Sequence, residues 1–246
     1  MATLGKIAAV LAAVLITVVV TAPAAWLAEM LSHHGALRLV HAEGSLWQGS
    51  ALLAVSDGRR ATLLPGRISW DVDWRALFAG RVAPRLSHAA FDAPVELVFD
   101  GRTLGVAPGA ARLPAALLAA LGAPFNSARP GGLLRLRWEK LLFRDAGFEG
   151  AVQLDWEDAQ SALSPIAPLG NFRVAVLGKG ARAELRVTTL KGPLQIMGEG
   201  SMENGTIRFS GTAEAEPEMR AALAGLIGLM GRRSGDRAVF NWESRK

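Results

Sequence analysis

Two pairs of carboxylates are the side chains whose types and spacing could support acid–base chemistry. Asp71 and Asp73 are separated by one residue, as are Asp155 and Glu157, so a strand would place each pair on one of its faces. Two carboxylates facing one cleft would suit hydrolysis of a glycosidic bond. In both segments, however, tryptophan and other apolar residues occupy the alternate positions. The pattern therefore favours the solvent-facing side of an amphipathic strand over a catalytic pair.

Histidine is the residue type here that could bind a metal. His33, His34 and His41 lie close together in the sequence, and His88 stands alone. A zinc site needs three or four converging ligands, whereas neighbouring residues point apart. We therefore predict no metal site, and we expect the three clustered histidines and His88 to lie at the surface. The chain has no cysteine, which excludes disulfides, thiolate metal ligands and a thiol nucleophile.

Other signatures of catalysis or of cofactor binding are absent from the sequence. Neither G-x-S-x-G nor H-E-x-x-H occurs, and Gly178-Lys179-Gly180 lacks the rest of a phosphate-binding loop. The formal net charge of +5 comes from scattered residues, and no basic run indicates nucleic-acid binding. The sequence therefore predicts no catalytic residue, no cofactor, no small-molecule substrate and no nucleic-acid partner.

A period of two in hydrophobicity predicts the elements that carry these residues. Ile68, Trp70, Val72 and Trp74 alternate with polar residues, which indicates a strand with these four side chains toward the core. The same alternation occurs at Leu134–Trp138, Val152–Trp156, 185–187 and 207–209. Glycines separate the runs and no long helix intervenes, so the strands should be antiparallel. We predict a mainly β protein with a curved antiparallel sheet or a sandwich-like domain.

Short helices are predicted at three places in this β-rich body. Residues 114–121 lie between a proline and a glycine, and residues 75–79 are compatible with one further turn. The segment 217–230, within a C-terminal helix assigned to 217–231, is predicted to present one apolar face that contains Met219, Leu223, Leu226, Ile227 and Met230.

Two segments of the body have a similar order of residues. Gly66 and Gly150 each open a strand-like run that contains a tryptophan, followed by an Ala-Leu pair, an Ala-Pro pair and two further runs. We predict one β-rich body, residues 29–246. Its similar segments indicate either two duplicated halves, at 40–110 and 131–215, or a chance similarity of short β-patterns.

The N-terminal segment is predicted to be a transmembrane anchor, residues 1–28. Ile7 to Ala28 contains no charged residue, and about 20 apolar residues suffice to span a bilayer. The residues expected in the bilayer are Ile7, Val10, Leu11, Val14, Leu15, Val18, Val19 and, at its outer interface, Trp26. Ala22-Pro23-Ala24 also fits a signal-peptidase site, so a cleaved signal peptide remains an alternative.

The chain resembles type II secretion system protein N, an inner-membrane accessory component of the general secretory pathway of Gram-negative bacteria. The resemblance extends over nearly the whole chain, in the same order. The stretches that carry it are Pro23-Ala24, Glu43-Gly44-Ser45-Leu46-Trp47-Gln48-Gly49-Ser50-Ala51, Ile68-Ser69-Trp70, Leu113-Pro114-Ala115, Trp156 with Ala162-Leu163-Ser164, Leu169-Gly170-Asn171-Phe172-Arg173, Thr188-Thr189-Leu190-Lys191-Gly192-Pro193-Leu194, Gly198-Glu199-Gly200, Arg208-Phe209-Ser210-Gly211-Thr212-Ala213-Glu214-Ala215 and the helix with Leu223, Leu226 and Leu229. It implies an uncleaved single-pass anchor in the bacterial inner membrane, a periplasmic β-domain and a non-catalytic role.

The expected function is support of the assembly or stability of the apparatus that exports folded proteins from the periplasm. The expected partners are the inner-membrane platform of that apparatus and inner-membrane lipids. Candidate contact residues lie in the segment 44–51 and in the C-terminal helix: Gly44, Leu46, Trp47, Gly49, Leu223, Leu226 and Leu229. The alternatives are a lipid-binding or lipid-transfer protein similar to AsmA-type envelope proteins, and an envelope carbohydrate hydrolase.

Overall fold

The protein folds into two compact units that divide between Ala89 and Ala90. The computed structural model describes residues 17–18, 21–32, 37–56, 61–122, 125–203 and 206–244. Within these ranges most regular structure is β, and the strand pairs in both units are antiparallel, as predicted. The two similar halves at 40–110 and 131–215 stay a prediction.

The described part of the first unit contains one α-helix, one 3₁₀ helix and four strands. In chain order these are α1 (Ala24–Ser32), β1 (Leu37–Gly44), β2 (Gln48–Ser56), β3 (Ala61–Val72), the 3₁₀ helix η1 (Trp74–Ala79) and β4 (Pro84–Ser87). The strands are paired in the order β1-β2-β3-β4. Trp70 lies opposite Gly49 on one side and Leu86 on the other, and it forms a small core with Ala24 and Ala51.

Strand β3 ends earlier than the hydrophobic alternation predicts. The side chain of Asp73 accepts a hydrogen bond from the Arg75 backbone N–H at 3.0 Å, which caps η1, and Gly80 ends the helix with a φ of +67°. Trp74 is therefore the first residue of η1 and is 58% exposed, so its predicted place in the core is wrong. The predicted helical turn at 75–79 is confirmed.

Between residues 90 and 244, as far as they are described, the second unit contains twelve strands and four short helices. The strands are β5 (Val95–Phe99), β6 (Leu104–Val106), β7 (Gly109–Pro114), β8 (Gly131–Trp138), β9 (Leu141–Arg144), β10 (Gly147–Gln160), β11 (Gly170–Gly180), β12 (Arg182–Lys191), β13 (Leu194–Glu203), β14 (Thr206–Ala215), β15 (Arg232–Ser234) and β16 (Arg237–Ser244). The helices are the 3₁₀ helix η2 (Ala115–Leu121), α2 (Phe125–Ala128), the 3₁₀ helix η3 (Pro217–Met219) and α3 (Arg220–Met230). All twelve strands belong to one antiparallel sheet.

The two faces of this sheet differ in polarity because the register aligns like residues across neighbouring strands. Leu134, Trp156 and Phe172 lie side by side on one face. On the other face, Asp155 lies opposite Arg135 and Arg173. A single sheet needs another layer to bury its apolar face. Here α3 supplies that layer over part of the face, so the sandwich-like alternative is not observed in this unit.

Glycines on the apolar face make room for aromatic rings from adjacent strands. Trp138 lies over Gly109, where a Cβ atom would approach its Cζ2 to 2.5 Å, and Phe240 covers Gly211 in the same way at 2.7 Å from its Cε2. In the first unit, Trp70 and Gly49 form an equivalent pair. These rings cover backbone that would otherwise face solvent, which compensates for the weak strand propensity of glycine.

Candidate interaction surfaces

The loop between β1 and β2 carries the first group of predicted contact residues. The Trp70 indole N–H donates to the carbonyl oxygens of Ser45 and Leu46, both at 3.2 Å. Gly44 turns the chain with a φ of +89°, and Gly49 accommodates the Trp70 ring. The side chains of Leu46 and Trp47 are half-buried. The loop is therefore held by β3, and only part of its apolar surface is accessible to a partner.

Ala22-Pro23-Ala24, the signal-peptidase site of the alternative interpretation, is incorporated into the first unit. Ala22 and Ala24 are buried, and the Ala22 carbonyl accepts a hydrogen bond from the Leu46 N–H at 2.8 Å. Pro23 forms an isolated antiparallel bridge with Ser45. Cleavage at this site would require the segment to leave the folded protein, because a peptidase needs an extended and accessible chain.

The C-terminal helix α3 carries the second group of predicted contact residues. Leu223, Leu226 and Ile227 are buried and pack in one cluster with residues of the sheet, including Leu194 and Ala238. The predicted apolar face is thus confirmed as the face toward the protein's own core. Leu229, by contrast, is 71% exposed. Of the three leucines of α3 proposed to contact a partner, Leu229 alone has its side chain at the surface.

A network of arginines and carboxylates occupies the polar face of the second unit. Arg173 binds both oxygens of the buried Asp155, with Nε–Oδ1 at 2.7 Å and Nη2–Oδ2 at 3.0 Å, and Arg137 approaches Oδ2 at 3.4 Å. Arg135 pairs with Glu157 at 3.2 Å. Hydrogen bonds from Arg173 are the main cause that lowers the pKa of Asp155, and the same pair raises the pKa of Arg173.

The carboxylates that could have formed catalytic pairs are engaged in structural contacts. Asp155 and Glu157 bind arginines, as described. Asp71 accepts a hydrogen bond from the Gln48 side chain at 3.1 Å, and Asp73 caps η1. A glycosidase needs one carboxyl group that can donate a proton, whereas the arginines around Asp155 favour its charged form.

An open groove of about 610 Å³ lies on the sheet of the second unit. Five strands line it, and its residues are both apolar, such as Val152, Val176 and Leu185, and charged, such as Arg137 and Glu199. Several of the charged residues are already paired: Glu199 with Arg186 at 3.2 Å, and Arg137 with Asp155 at 3.4 Å. The groove therefore combines an apolar floor with charged residues, and its polar groups do not converge on one point as they would around a small ligand.

The histidines do not assemble a metal site in the part of the chain that the structure describes, where no group of three potential ligands converges. His33 and His34 lie outside the described residues, and His41 is exposed in β1. His88 is buried, with Gly66 close to its ring, so its expected surface position is wrong. The hydrophobic residues around His88 follow no regular period in the sequence, so its burial could not be predicted from them.

Most residues of the predicted anchor lie outside the described ranges: Ile7, Val10, Leu11, Val14, Leu15 and Val19. Val18 and Trp26, which are described, are exposed. Among the described residues no helix combines the length and the apolar character needed to cross a bilayer. The anchor thus stays a prediction from the sequence.

One exposed apolar group escaped the sequence interpretation. Trp74, Leu77 and Phe78 project from η1 and are all exposed. The sequence did contain a signal for this group, because Asp73 and Gly80 are typical residues at the start and the end of a short helix. In a helix at 74–79, Trp74 no longer follows the alternation of inward and outward side chains in β3.

Comparison with known proteins identifies the family of this chain. A family model described as type II secretion system (T2SS), protein N, matches residues 35–240. No curated protein and no solved structure matches the chain. The matched region includes β1 to β4, the charged network around Asp155 and helix α3. The chain therefore belongs to the type II secretion system protein N family.

Proposed function

We propose that this protein is a non-enzymatic accessory component of the type II secretion machinery, anchored in the inner membrane with its β-rich body in the periplasm. It supports the assembly or stability of the export apparatus through contacts with other proteins. Membership of the family is the observation that carries the proposal, since it implies association with other components of the same system.

The surroundings of Ala22 and Ala24 support retention of the anchor. Both side chains are buried, and Ala24 belongs to the core around Trp70. A chain cut after Ala24 would separate Ala22 and Pro23 from the β1–β2 loop, to which the Ala22 carbonyl is hydrogen-bonded and with which Pro23 forms a bridge. Retention of an uncharged segment of this length would keep the protein in the membrane.

The structural use of the carboxylates supports a role without catalysis. Asp155 and Glu157 bind arginines of neighbouring strands. In the first unit, Asp71 binds the Gln48 side chain and Asp73 caps η1. The AsmA-like alternative, binding or transfer of envelope lipids, rests on the groove of the second unit alone, whose lining mixes apolar residues such as Val152 and Leu185 with charged ones.

Site-directed photo-crosslinking in secreting cells would test the proposal. A crosslinking amino acid at the exposed Leu229 would be compared with one at Met197, which is exposed on β13 of the same unit. We expect Leu229 to capture a component of the secretion platform and Met197 to capture less. A deletion strain should lose export of folded proteins, and the intact chain should restore it. Normal export without the protein would contradict the proposal.

A further inference from the structure

The 3₁₀ helix η1 exposes a compact group of large apolar side chains. Phe78 is 85% exposed, and Trp74 and Leu77 are exposed beside it. The rings of Trp74 and Phe78 meet edge to face, with centroids 5.8 Å apart at 76°. Single exposed apolar residues are common, but two aromatic rings and a leucine on one short helix form a patch that favours contact with an apolar phase.

Arginines accompany this apolar group. The Arg75 guanidinium carbon lies 5.7 Å from the centre of the Trp74 ring, which is a cation–π arrangement, and Arg81 follows the helix with its side chain exposed. The Asp73 carboxylate accepts a hydrogen bond from the helix itself as its cap. Tryptophan and arginine side by side suit the interfacial region of a membrane, where rings lie at headgroup level and cations meet anionic lipids.

Hydrogen bonds place η1 at the same end of the first unit as the start of α1. The Val72 N–H, at the end of β3, donates to the Trp47 carbonyl at 2.7 Å. The neighbouring Leu46 N–H donates to the Ala22 carbonyl at 2.8 Å. The β1–β2 loop thus connects the beginning of η1 directly to the residues that precede α1.

The sequence that leads into this end is the uncharged stretch from Ile7 to Ala28. An anchor in this stretch would bring the loop, the start of α1 and η1 close to the lipid headgroups. We propose that η1 docks on the phospholipid bilayer, with Trp74, Leu77 and Phe78 in the interfacial region and Arg75 and Arg81 at the headgroups. The inference depends on the membrane anchor of the proposed function, and it adds a second membrane contact that orients the first unit.

The absence of cysteine makes a direct test practical. In the full chain, Ala79→Cys provides a single labelling site on η1 that leaves Trp74, Leu77 and Phe78 intact. Leu63→Cys provides a matched control, since Leu63 is exposed on β3 of the same unit, about 30 Å along the strand from Val72. Each variant carries a polarity-sensitive fluorophore and is reconstituted into vesicles of phosphatidylethanolamine and phosphatidylglycerol, with or without brominated acyl chains.

We expect brominated lipid to remove about half of the Ala79 emission and to leave the Leu63 emission unchanged, because an interfacial helix lies within reach of the upper acyl chain. The double substitution Trp74→Ser with Phe78→Ser should abolish quenching at Ala79, whereas Leu77→Ile should preserve it. Equal emission with and without bromine at Ala79 in protein that floats with the vesicles would overturn the inference. So would quenching that survives the double substitution.

The outcomes separate this inference from the function on which it depends. A chain that does not float with vesicles lacks the anchor, and both the membrane placement and the docking of η1 are then wrong. A chain that floats, restores export and shows an unquenched Ala79 label retains the proposed function, and only the docking of η1 is wrong. Capture of a protein by a crosslinker at Ala79, without quenching, would likewise assign η1 to a protein partner and overturn the inference.

Discussion

Helices η1 and α3 are both short, apolar and placed after a strand, yet they use their apolar residues in opposite ways. Helix α3 has 11 residues, enough for three turns, and it buries Leu223, Leu226 and Ile227 on the sheet of the second unit. Helix η1 has six residues between Asp73 and Gly80 and contains no buried residue. Apolar residues at i, i+3 and i+4 produce a buried stripe only when the helix is long enough to lie along a sheet.

The comparison shows that hydrophobicity in this protein has two separate roles. In α3 it stabilises the fold, because the leucines replace a missing second layer over the sheet. In η1 it adds little to the fold and remains available for an external surface. Substitutions in the two helices should therefore separate stability from binding.

The largest effect is expected for Leu223→Ala in α3. Leu223 has no exposed surface, so its truncation should lower the free energy of unfolding by about 2–5 kcal/mol through lost burial and a cavity. Urea denaturation of the reconstituted protein would measure it. Leu229→Ala on the exposed side of the same helix is the control and should change little. Equal losses for the two variants would show that α3 does not cover the sheet in solution.

A smaller loss of stability is expected for Asp155→Asn. This variant tests a buried charge on the polar face of the sheet whose apolar face α3 covers. The substitution removes the ionic hydrogen bonds of Arg173 and should cost about 1–3 kcal/mol at neutral pH. Glu184→Gln is the matched control, because its partner Lys179 and its own carboxylate are both solvent-exposed, and it should cost much less.

The effect of Asp155→Asn should depend on pH in a defined direction. Because the pKa of Asp155 is lowered in the folded protein, the folded state holds fewer protons than the unfolded state when the pH lies between the two pKa values. The stabilisation is complete above the unfolded value of about 3.9 and is lost as the pH falls toward the lowered value. The urea midpoints of the unchanged protein and of the Asp155→Asn variant should therefore converge in acid. A difference between the midpoints that does not change with pH would contradict this account.

A gain of stability is expected for Gly228→Ala on the outer side of α3. No atom lies within 4 Å of a Cβ at this position, and the glycine is exposed. Alanine should raise the free energy of unfolding by about 0.5–1 kcal/mol by restricting the unfolded chain. Gly109→Ala makes the contrast, since it would displace the Trp138 ring and should destabilise. Thermal denaturation of both variants would show opposite shifts in Tm.

The smallest effect on stability is expected for Phe78→Ser in η1. Its side chain is almost entirely in solvent, so the free energy of unfolding should change by less than about 0.5 kcal/mol. The same denaturation assay as for Leu223→Ala would measure the change. A loss as large as that of Leu223→Ala would mean that η1 is packed inside the protein, and the contrast between the helices would disappear.

The sequence by itself determined the strand-rich body, helix α3 with the face that it buries, and membership of the family. These features depend on local periods of two and of 3.6 residues and on the order of short motifs. Trp70 and Trp74 mark where that information ends: they share one alternation, but only Trp70 is buried. Asp73, which lies between them, caps η1 and ends the strand. The alternation of hydrophobic residues carries no information about such a cap.

The tertiary structure alone decided which distant residues meet. Asp155 and Arg173 are 18 residues apart and pair because β10 and β11 adopt one register, which depends on the whole sheet. Ala22 and Ala24 have the composition of a cleavage site but lie against the β1–β2 loop and Trp70. Helix η1 reaches the same end of its unit through that loop. Long-range register and turn geometry, rather than any local pattern, brought these groups together.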